Sequence, residues 1–380
     1  MKKFVIVLDI PSPYRVHLLE EMARQLKDVG IEFHAHFMSR GEKGRPESWL
    51  NPEMTFQHTY WRNWIFKSCW FNPGLIFHLL LHRPTILYVG STYYTFTGIF
   101  ISLLCGAEIK CCGAEGNTKT PGKMHGFIGW FKRLVLSRYK YIAVPGKEGM
   151  AFVALHQSLT ARKMPKAVLL PNIIDERKFR PRRDWPGMEI AAMRQKLGAS
   201  DHDRICIIPA RLIEVKGLVP FFSIIPVDLL NGWRIVVVGR GPLYQQLMEI
   251  TRARGMNAHV SILDYVPYED MPKYYAASDL MLLPSLYDQN PLVVVEALHS
   301  ALPIALTSQA GNVDEAVTEG RNGWVLPVFD QKEFVNKLRV VFSTPIERLR
   351  EMGEYSKKEN ACFWHTKIAV GNFMHEIGVC

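Results

Sequence analysis

At 380 residues, with 48% hydrophobic and 22% charged residues and no biased tract, the chain is long enough for two domains and too apolar to be disordered or fibrous. Seven cysteines, scattered except for Cys111 and Cys112, make neither a disulfide framework nor a CxxC metal site, and they suit a reducing cytoplasm. The net charge of +10 lies in one part of the chain: residues 1–180 hold 25 Lys and Arg against 13 Asp and Glu, and the remainder 21 against 23. That asymmetry predicts an anionic partner for the first part, and the lack of a helix-turn-helix spacing or an RNP-like aromatic strand excludes nucleic acid from that role.

The chain opens on FVIVLDI (4–10), an apolar run of buried-strand type that is too short before Asp9 and Pro11 to read as a signal peptide. A turn at Pro11-Ser12-Pro13 and an amphipathic helix over about Arg15 to Lys27 follow. The runs IEFHAHF (31–37), TILYVG (85–90), AEIKCCG (107–113) and KYIAVPG (140–146) alternate with helix-like stretches, which predicts a doubly wound, Rossmann-like α/β domain over residues 1–180. Two stretches in it, YWRNWIFKSCWFNPGLIFHLLLHR (60–83) and GKMHGFIGWFKRLVLSRYK (122–140), mix aromatic and basic residues as an anionic membrane surface would require. No run of about 18 apolar residues occurs, so the expected location is cytoplasmic, peripheral on the inner face of the cytoplasmic membrane.

The cluster PNIIDERKFRPRRDWPG (171–187) reads as a connection, after which the pattern starts over. RICIIPA (204–210), WRIVVVG (233–239), HVSILDY (259–265) and DLMLLPS (279–285) predict a second doubly wound domain over residues 187–362 that faces the first across a cleft. The runs KEFVNKLRVVF, IERLREMGEYSKK and TKIAVGNFMHEIG read as closing helices, and the last, within 363–380, is expected to pack back toward the first domain.

Chemistry concentrates in SLYDQNPLVVVEALHSALP (285–303). Asn290 is placed to cap a helix, Pro291 to occupy its first position, and the helix to run through Leu298. Its start then opens at a strand's carboxyl end, where backbone amides favour phosphate. Asp288 precedes the cap, and Glu296 lies about one and a half turns inside, where a carboxylate can accept from a ribose diol or simply face solvent. Between RICIIPA and the next helix, Arg211 and Lys216 are two cations five residues apart that can clamp a diphosphate. Gly239 and Gly241 end the following strand and permit close backbone approach to a ligand or a tight turn.

In order and spacing, these residues resemble the family 4 retaining glycosyltransferases, whose fold is GT-B. The resemblance rests on Arg211-x4-Lys216-Gly217, Gly239-x-Gly241-Pro242, Tyr265-Val266-Pro267, Ala277-Ser278-Asp279, the acidic pair Asp288 and Glu296, and Glu315 through Gly323. Asp288 stands where the family has Glu, and Asn290-Pro291-Leu292 where it has Phe-Gly-Leu. The resemblance implies that Arg211 and Lys216 hold a donor diphosphate, Glu296 the ribose, and Asp288 the transferred sugar or the neighbouring phosphate. Asn290, Pro291, Leu292 and the backbone near Val266 complete the donor site. Arg15 and Glu115 become acceptor contacts, the nearest histidine to the loop where relatives place one being His125. The implied reaction moves a sugar from a nucleotide sugar, by default a UDP-sugar, to a hydroxyl of a glycan or lipid-linked saccharide with retention. Neither a metal nor a resident cofactor is expected, the nucleotide sugar being a co-substrate. A sugar-nucleotide 2-epimerase of the same fold and a non-catalytic nucleotide-sugar-binding protein remain open. A dinucleotide oxidoreductase ranks last, because no GxGxxG follows the first strand.

Overall fold

The computed structural model describes residues 2–41, 52–66, 69–90, 95–119, 126–200, 202–328 and 330–379. The chain divides into two units, one of Met1–Ile174 with Thr366–Cys380 and one of Asp175–His365. By this division unit 1 holds 23 Lys and Arg against 12 Asp and Glu, and unit 2 holds 23 against 24. The sequence reading put the connection at 171–186 and began the closing segment at 363.

Unit 1 contains strands β1 (Lys3–Leu8), β2 (Glu32–Phe37), β3 (Gln57–Tyr60), β4 (Trp64–Phe66), β5 (Cys69–Phe71), β6 (Ile86–Val89), β7 (Ile109–Gly113), β8 (Tyr141–Val144) and β9 (Lys166–Leu169). Its helices are α1 (Pro13–Asp28), α2 (Pro73–Leu81), α3 (Phe96–Leu104), α4 (Gly126–Leu136) and α5 (Lys147–Ser158). Seven strands form one parallel sheet in the order β3-β2-β1-β6-β7-β8-β9, and β4 and β5 pair separately as an antiparallel hairpin. The period-2 alternation of a strand explains why β1 reads as a continuous apolar run, since both of its faces are covered. Phe4, Ile6 and Leu8 join Leu19, Met22 and Leu26 of α1 in one core cluster, and Val5 and Val7 join Leu75 and Leu79 of α2 in the other. The final helix of the chain, Thr366–Glu376, adds Val370, Phe373 and Met374 to the first cluster and packs on α1 and β9.

Unit 2 contains β10 (Arg204–Pro209), β11 (Trp233–Val238), β12 (Val260–Leu263), β13 (Leu280–Leu283), β14 (Ile304–Thr307) and β15 (Gly323–Leu326), parallel throughout in the order β12-β11-β10-β13-β14-β15. Between and after them lie α6 (Gly187–Lys196), α7 (Leu218–Ile224), α8 (Tyr244–Ala253), α9 (Met271–Ala277), α10 (Leu292–His299), α11 (Val313–Ala316), α12 (Gln331–Ser343) and α13 (Ile346–Tyr355). The chain walks outward from β10 to β12 and then returns to the other side of β10 with β13. The carboxyl ends of β10 and β13 therefore flank a topological switch point, where open α/β sheets bind ligands.

At the opposite end of this sheet, Asp279 is buried and gathers three donors. Its Oδ1 accepts from Arg182 Nη2 at 2.8 Å, and its Oδ2 accepts from Arg194 Nη1 at 2.9 Å and from the Ile205 amide at 2.8 Å. Asp279→Ala leaves two largely enclosed guanidinium groups without their anion and is expected to cost unit 2 about 3–5 kcal/mol in urea unfolding. A loss under about 1 kcal/mol, the range of an exposed pair, would show that this network does not hold the unit together.

Candidate functional site

The two loops at the switch point are drawn together by glycines that no other residue replaces. Gly217, at φ +66°, would place a Cβ 2.0 Å from the Pro284 carbonyl oxygen, so the loop after β10 lies directly on the end of β13. Gly239, at φ +148°, would place one 2.1 Å from the Ala210 oxygen, and Gly241 one 2.3 Å from the Leu212 oxygen. Cross-bonds complete the seam: the Leu212 amide donates to the Arg240 carbonyl at 3.0 Å, and the Tyr287 amide to the Val215 carbonyl at 3.1 Å. The function of Gly239 and Gly241 visible here is thus close packing of one loop on another.

On this seam Lys216 Nζ donates to Asp288 Oδ2. Both side chains are mostly covered, 16% and 11% exposed, so the pair is set into the protein rather than waving above it. The sequence reading gave the two residues separate tasks; their direct pairing follows from the Gly217–Pro284 contact and had no sequence signal. The Asp288 main chain is fixed as well, its carbonyl accepting from the Gly311 amide at 2.9 Å. Arg211 is exposed in the same loop, five residues before Lys216, and among the described residues its guanidinium forms no ion pair.

The helix start differs from the sequence expectation by one residue. Pro291 takes the N-cap position (φ −71°, ψ 114°), α10 begins at Leu292, and Asn290 does not cap it. The reason is that the Pro291 carbonyl is already committed as the first helical acceptor, receiving the Val294 amide at 3.2 Å and Asn312 Nδ2 at 3.1 Å. Asn290 Oδ1 is left buried without a hydrogen-bond partner. The Leu292 and Val293 amides precede that first helical bond and lie at the positive dipole end of α10, which begins four residues after Asp288.

Glu296 is not the solvated helix residue that the sequence left open. It is 7% exposed, and Tyr275 donates to its Oε2 at 2.6 Å. Burial pushes its carboxyl up to about 7, with the Tyr275 bond pulling in the other direction. Tyr275, on α9, is fully buried, and nothing in its sequence context marks it. At the far side of the seam, Val266 is half-buried in the loop after β12, and Arg240 lies over the exposed Tyr265 ring at 4.7 Å. That stacked pair is a second feature the sequence did not disclose.

In unit 1, Arg15 and Glu115 stand at the carboxyl edge of the sheet, after β1 and β7, on either side of β6. Arg15 is paired with Asp9 just after β1, and Glu115 lies at an exposed position. The loop carrying Glu115 is tied down by Glu148 of α5, which accepts from the Thr118 amide at 3.3 Å and meets Lys119 Nζ at 3.5 Å. His125 lies outside the described residues.

Residues 189–359 match the family model described as "Glycosyl transferases group 1". That stretch contains Arg211, Lys216, Asp288 and Glu296 but neither Arg15 nor Glu115. The chain is 27% identical over 199 residues to spore coat protein SA of Bacillus subtilis, covering 49% of this chain and 52% of that one. It is 22% identical over 357 residues to a D-inositol 3-phosphate glycosyltransferase of Nocardia farcinica, covering 91% and 66%. The match to the first of these spans about half of the relative's length. In three dimensions the chain is similar to the Anabaena protein HepE, solved in complex with UDP and glucose, with a TM-score of 0.74, 15% identity and 100% coverage of both chains. The fold is accordingly that of the GT-B proteins, two Rossmann-like α/β domains.

Proposed function

We propose that this chain, which carries a Glycosyl transferases group 1 domain over residues 189–359, is a retaining, metal-independent glycosyltransferase. It moves a sugar from a UDP-sugar to a hydroxyl of a glycan or lipid-linked saccharide in cell-surface polysaccharide assembly. The reading rests on one observation: Lys216, Asp288 and the start of α10 converge at the switch point between β10 and β13. The UDP preference is supported by the nucleotide bound in the similar HepE structure.

As the bond from the anomeric carbon to the phosphate oxygen breaks, negative charge grows on the departing diphosphate. Arg211, the Lys216 ammonium and the α10 amides face that charge, and their attraction is greater in the transition state than in the ground state. Asp288 holds Lys216 in place and touches the transferred sugar or the phosphate next to it. The acceptor oxygen bonds to the anomeric carbon on the face the phosphate leaves, and its proton passes to the departing phosphate oxygen, so no side chain has to act as base. Glu296 receives the ribose hydroxyls, and the loop at Val266 frames the base. The nucleotide sugar is a co-substrate, and no resident cofactor is assigned. Arg15 and Glu115 contact the acceptor, and the protein works in the cytoplasm, peripheral on the inner face of the membrane.

A thermal-shift panel of UDP, GDP, ADP and CDP tests the donor site, because a ligand that binds only the folded state raises its stability by about 2.7 kcal/mol at a hundred times its Kd. UDP is expected to give the largest shift, and Arg211→Ala to weaken UDP about tenfold or more through loss of a charge-assisted contact. A folded Arg211→Ala protein with an unchanged UDP shift would remove Arg211 from the site.

A further inference from the structure

One face of unit 1 has a composition that its own core does not explain. α2 (PGLIFHLLL) and α3 (FTGIFISLL) contain no Asp, Glu, Lys or Arg, and α3 packs on α2, on α4 and on β5. All three helices cover the same side of the sheet, opposite α1. Their inner residues are buried as usual, but their outer residues are apolar too. On α3, Phe96, Phe100 and Leu104 follow one another at every fourth position and are 40%, 41% and 55% exposed. On α2, Phe77 and Leu81 repeat the spacing at 64% and 62%. On α4, Phe127 is 76% exposed and stacks on Trp130, with ring centroids 5.8 Å apart. The β4–β5 hairpin continues the patch, Phe71 lying 5.8 Å from the Phe100 ring. A contiguous apolar surface of this kind marks an interaction site.

The charge around it is predominantly of one sign. Residues 54–107 and 116–147, which contain the hairpin and all three helices, hold ten Lys and Arg and not one Asp or Glu, and the exposed Glu108, in the stretch between them, lines one depression with Arg138 and Lys140. Arg62, Arg83, Arg138 and Lys140 among them are exposed. A second copy of the same face would set this excess of cations against its own equivalent, so charge repulsion opposes self-association. None of the described helices is long and apolar enough to cross a membrane, and the nine residues of α3 extend only about 14 Å.

We propose that α2, α3, α4 and the β4–β5 hairpin form a docking face for an anionic lipid bilayer. The exposed rings enter between the headgroups, and the surrounding arginines and lysines meet the lipid phosphates. This inference deepens the peripheral location given under the proposed function and rests on it; the face places unit 1, with Arg15 and Glu115, at the surface where a lipid-linked acceptor is presented.

Sedimentation of the full chain with vesicles of phosphatidylcholine, alone or mixed with phosphatidylglycerol, tests the face. The protein is expected to pellet with the anionic vesicles, and added salt to release it. The Phe100→Ser/Phe127→Ser variant is expected to lower the vesicle partition constant about tenfold or more, because burial of ring area supplies the apolar attraction. Arg83→Ser/Arg138→Ser, at exposed positions that do not bear on folding, should lower it about fivefold per cation. Release of UDP from a UDP-sugar in vesicle-free solution serves as a separate readout that these variants leave unchanged. Wild-type protein that releases UDP but ignores anionic vesicles would overturn the docking face and leave the transferase reading standing. Vesicle binding without any effect of UDP-sugars would do the reverse. Equal binding to both vesicle types, or a dimer that the phenylalanine variant dissociates, would also overturn the proposal.

Discussion

Lys216→Ala is expected to lower kcat/KM for sugar transfer by about a thousandfold, the upper range for loss of one preorganised partner of a developing anion. The expectation is large because Lys216 does two things at once. It offers a cation to the diphosphate, and it neutralises Asp288, whose carboxylate is 11% exposed and bonded to it. Without the ammonium, Asp288 becomes an uncompensated anion at the place where a phosphate must settle, so the loss exceeds that of a single contact. Asp288→Asn separates the two effects: it removes the competing anion and keeps the shape. Binding of free UDP should then be as tight as in the wild type or tighter, while turnover falls, because the ammonium is no longer held in position. Steady-state kinetics with UDP inhibition, measured on single and double variants, gives the coupling directly. If Lys216→Ala folds and turns over within about tenfold of wild type, the site is not built around this pair.

Glu296 supplies the second large effect, a pH dependence whose sign follows from its burial. Its carboxyl titrates near 7 in the fold against an ordinary 4.5. Between those values the folded chain holds a proton that the unfolded chain has lost, so the associated stability is present below pH 4.5 and is lost as pH rises through 7. The difference is on the order of 3 kcal/mol at about 1.4 kcal/mol per unit. His299, which burial lowers to about 4, acts the other way over an overlapping range. The comparison that isolates the glutamate is therefore wild type against Glu296→Gln, whose urea stabilities should converge as pH falls and diverge as it rises. Nucleotide binding should show the mirror image: ribose hydroxyls donate to the ionised carboxylate, so UDP binding near pH 7 is expected to release protons and to weaken on acidification. Calorimetric titration in buffers of different ionisation enthalpy counts those protons. The same count from wild type and Glu296→Gln would exclude Glu296 from the ribose contact.

Both of these residues were visible in the sequence, but the arrangement that gives them their properties was not. Spacing on a nascent helix located Glu296, whereas its elevated titration comes from burial, which the bond from Tyr275, twenty-one positions earlier in the chain, offsets only in part. Likewise Lys216 and Asp288 stood out as isolated charges, and their union required knowing that Gly217 sits on the Pro284 carbonyl. The strands that periodicity identified were those carried by a distinct apolar run, including the four-residue β6, β8 and β13 and the half-buried edge strand β12. β3 escaped because it is written in the polar letters QHTY, and β9 because its short run passes directly into the proline-rich connection. β14 and β15 are equally short, and β15 starts on Gly323, whose missing side chain leaves room for the Ile304 carbonyl. The Asn290 cap failed by one position because proline permits both N-cap and first-turn geometry, and only the acceptor role of its carbonyl decides between them.

The return of Thr366–Glu376 to the first core has a consequence for the order in which the protein is made. Val370, Phe373 and Met374 fill a cluster whose members outside this last segment, Phe4 to Leu170, precede them by 200 to 370 residues. At about 5–20 residues per second, a ribosome completes every strand of unit 2 while that cluster still lacks one wall. The later-encoded unit is thus the first whose strands and helices are all available. During that interval the Tyr88 ring, which Phe373 meets edge-on, and the side of α1 on which the final helix packs lack their cover, a surface that a chaperone or a neighbouring nascent chain can reach.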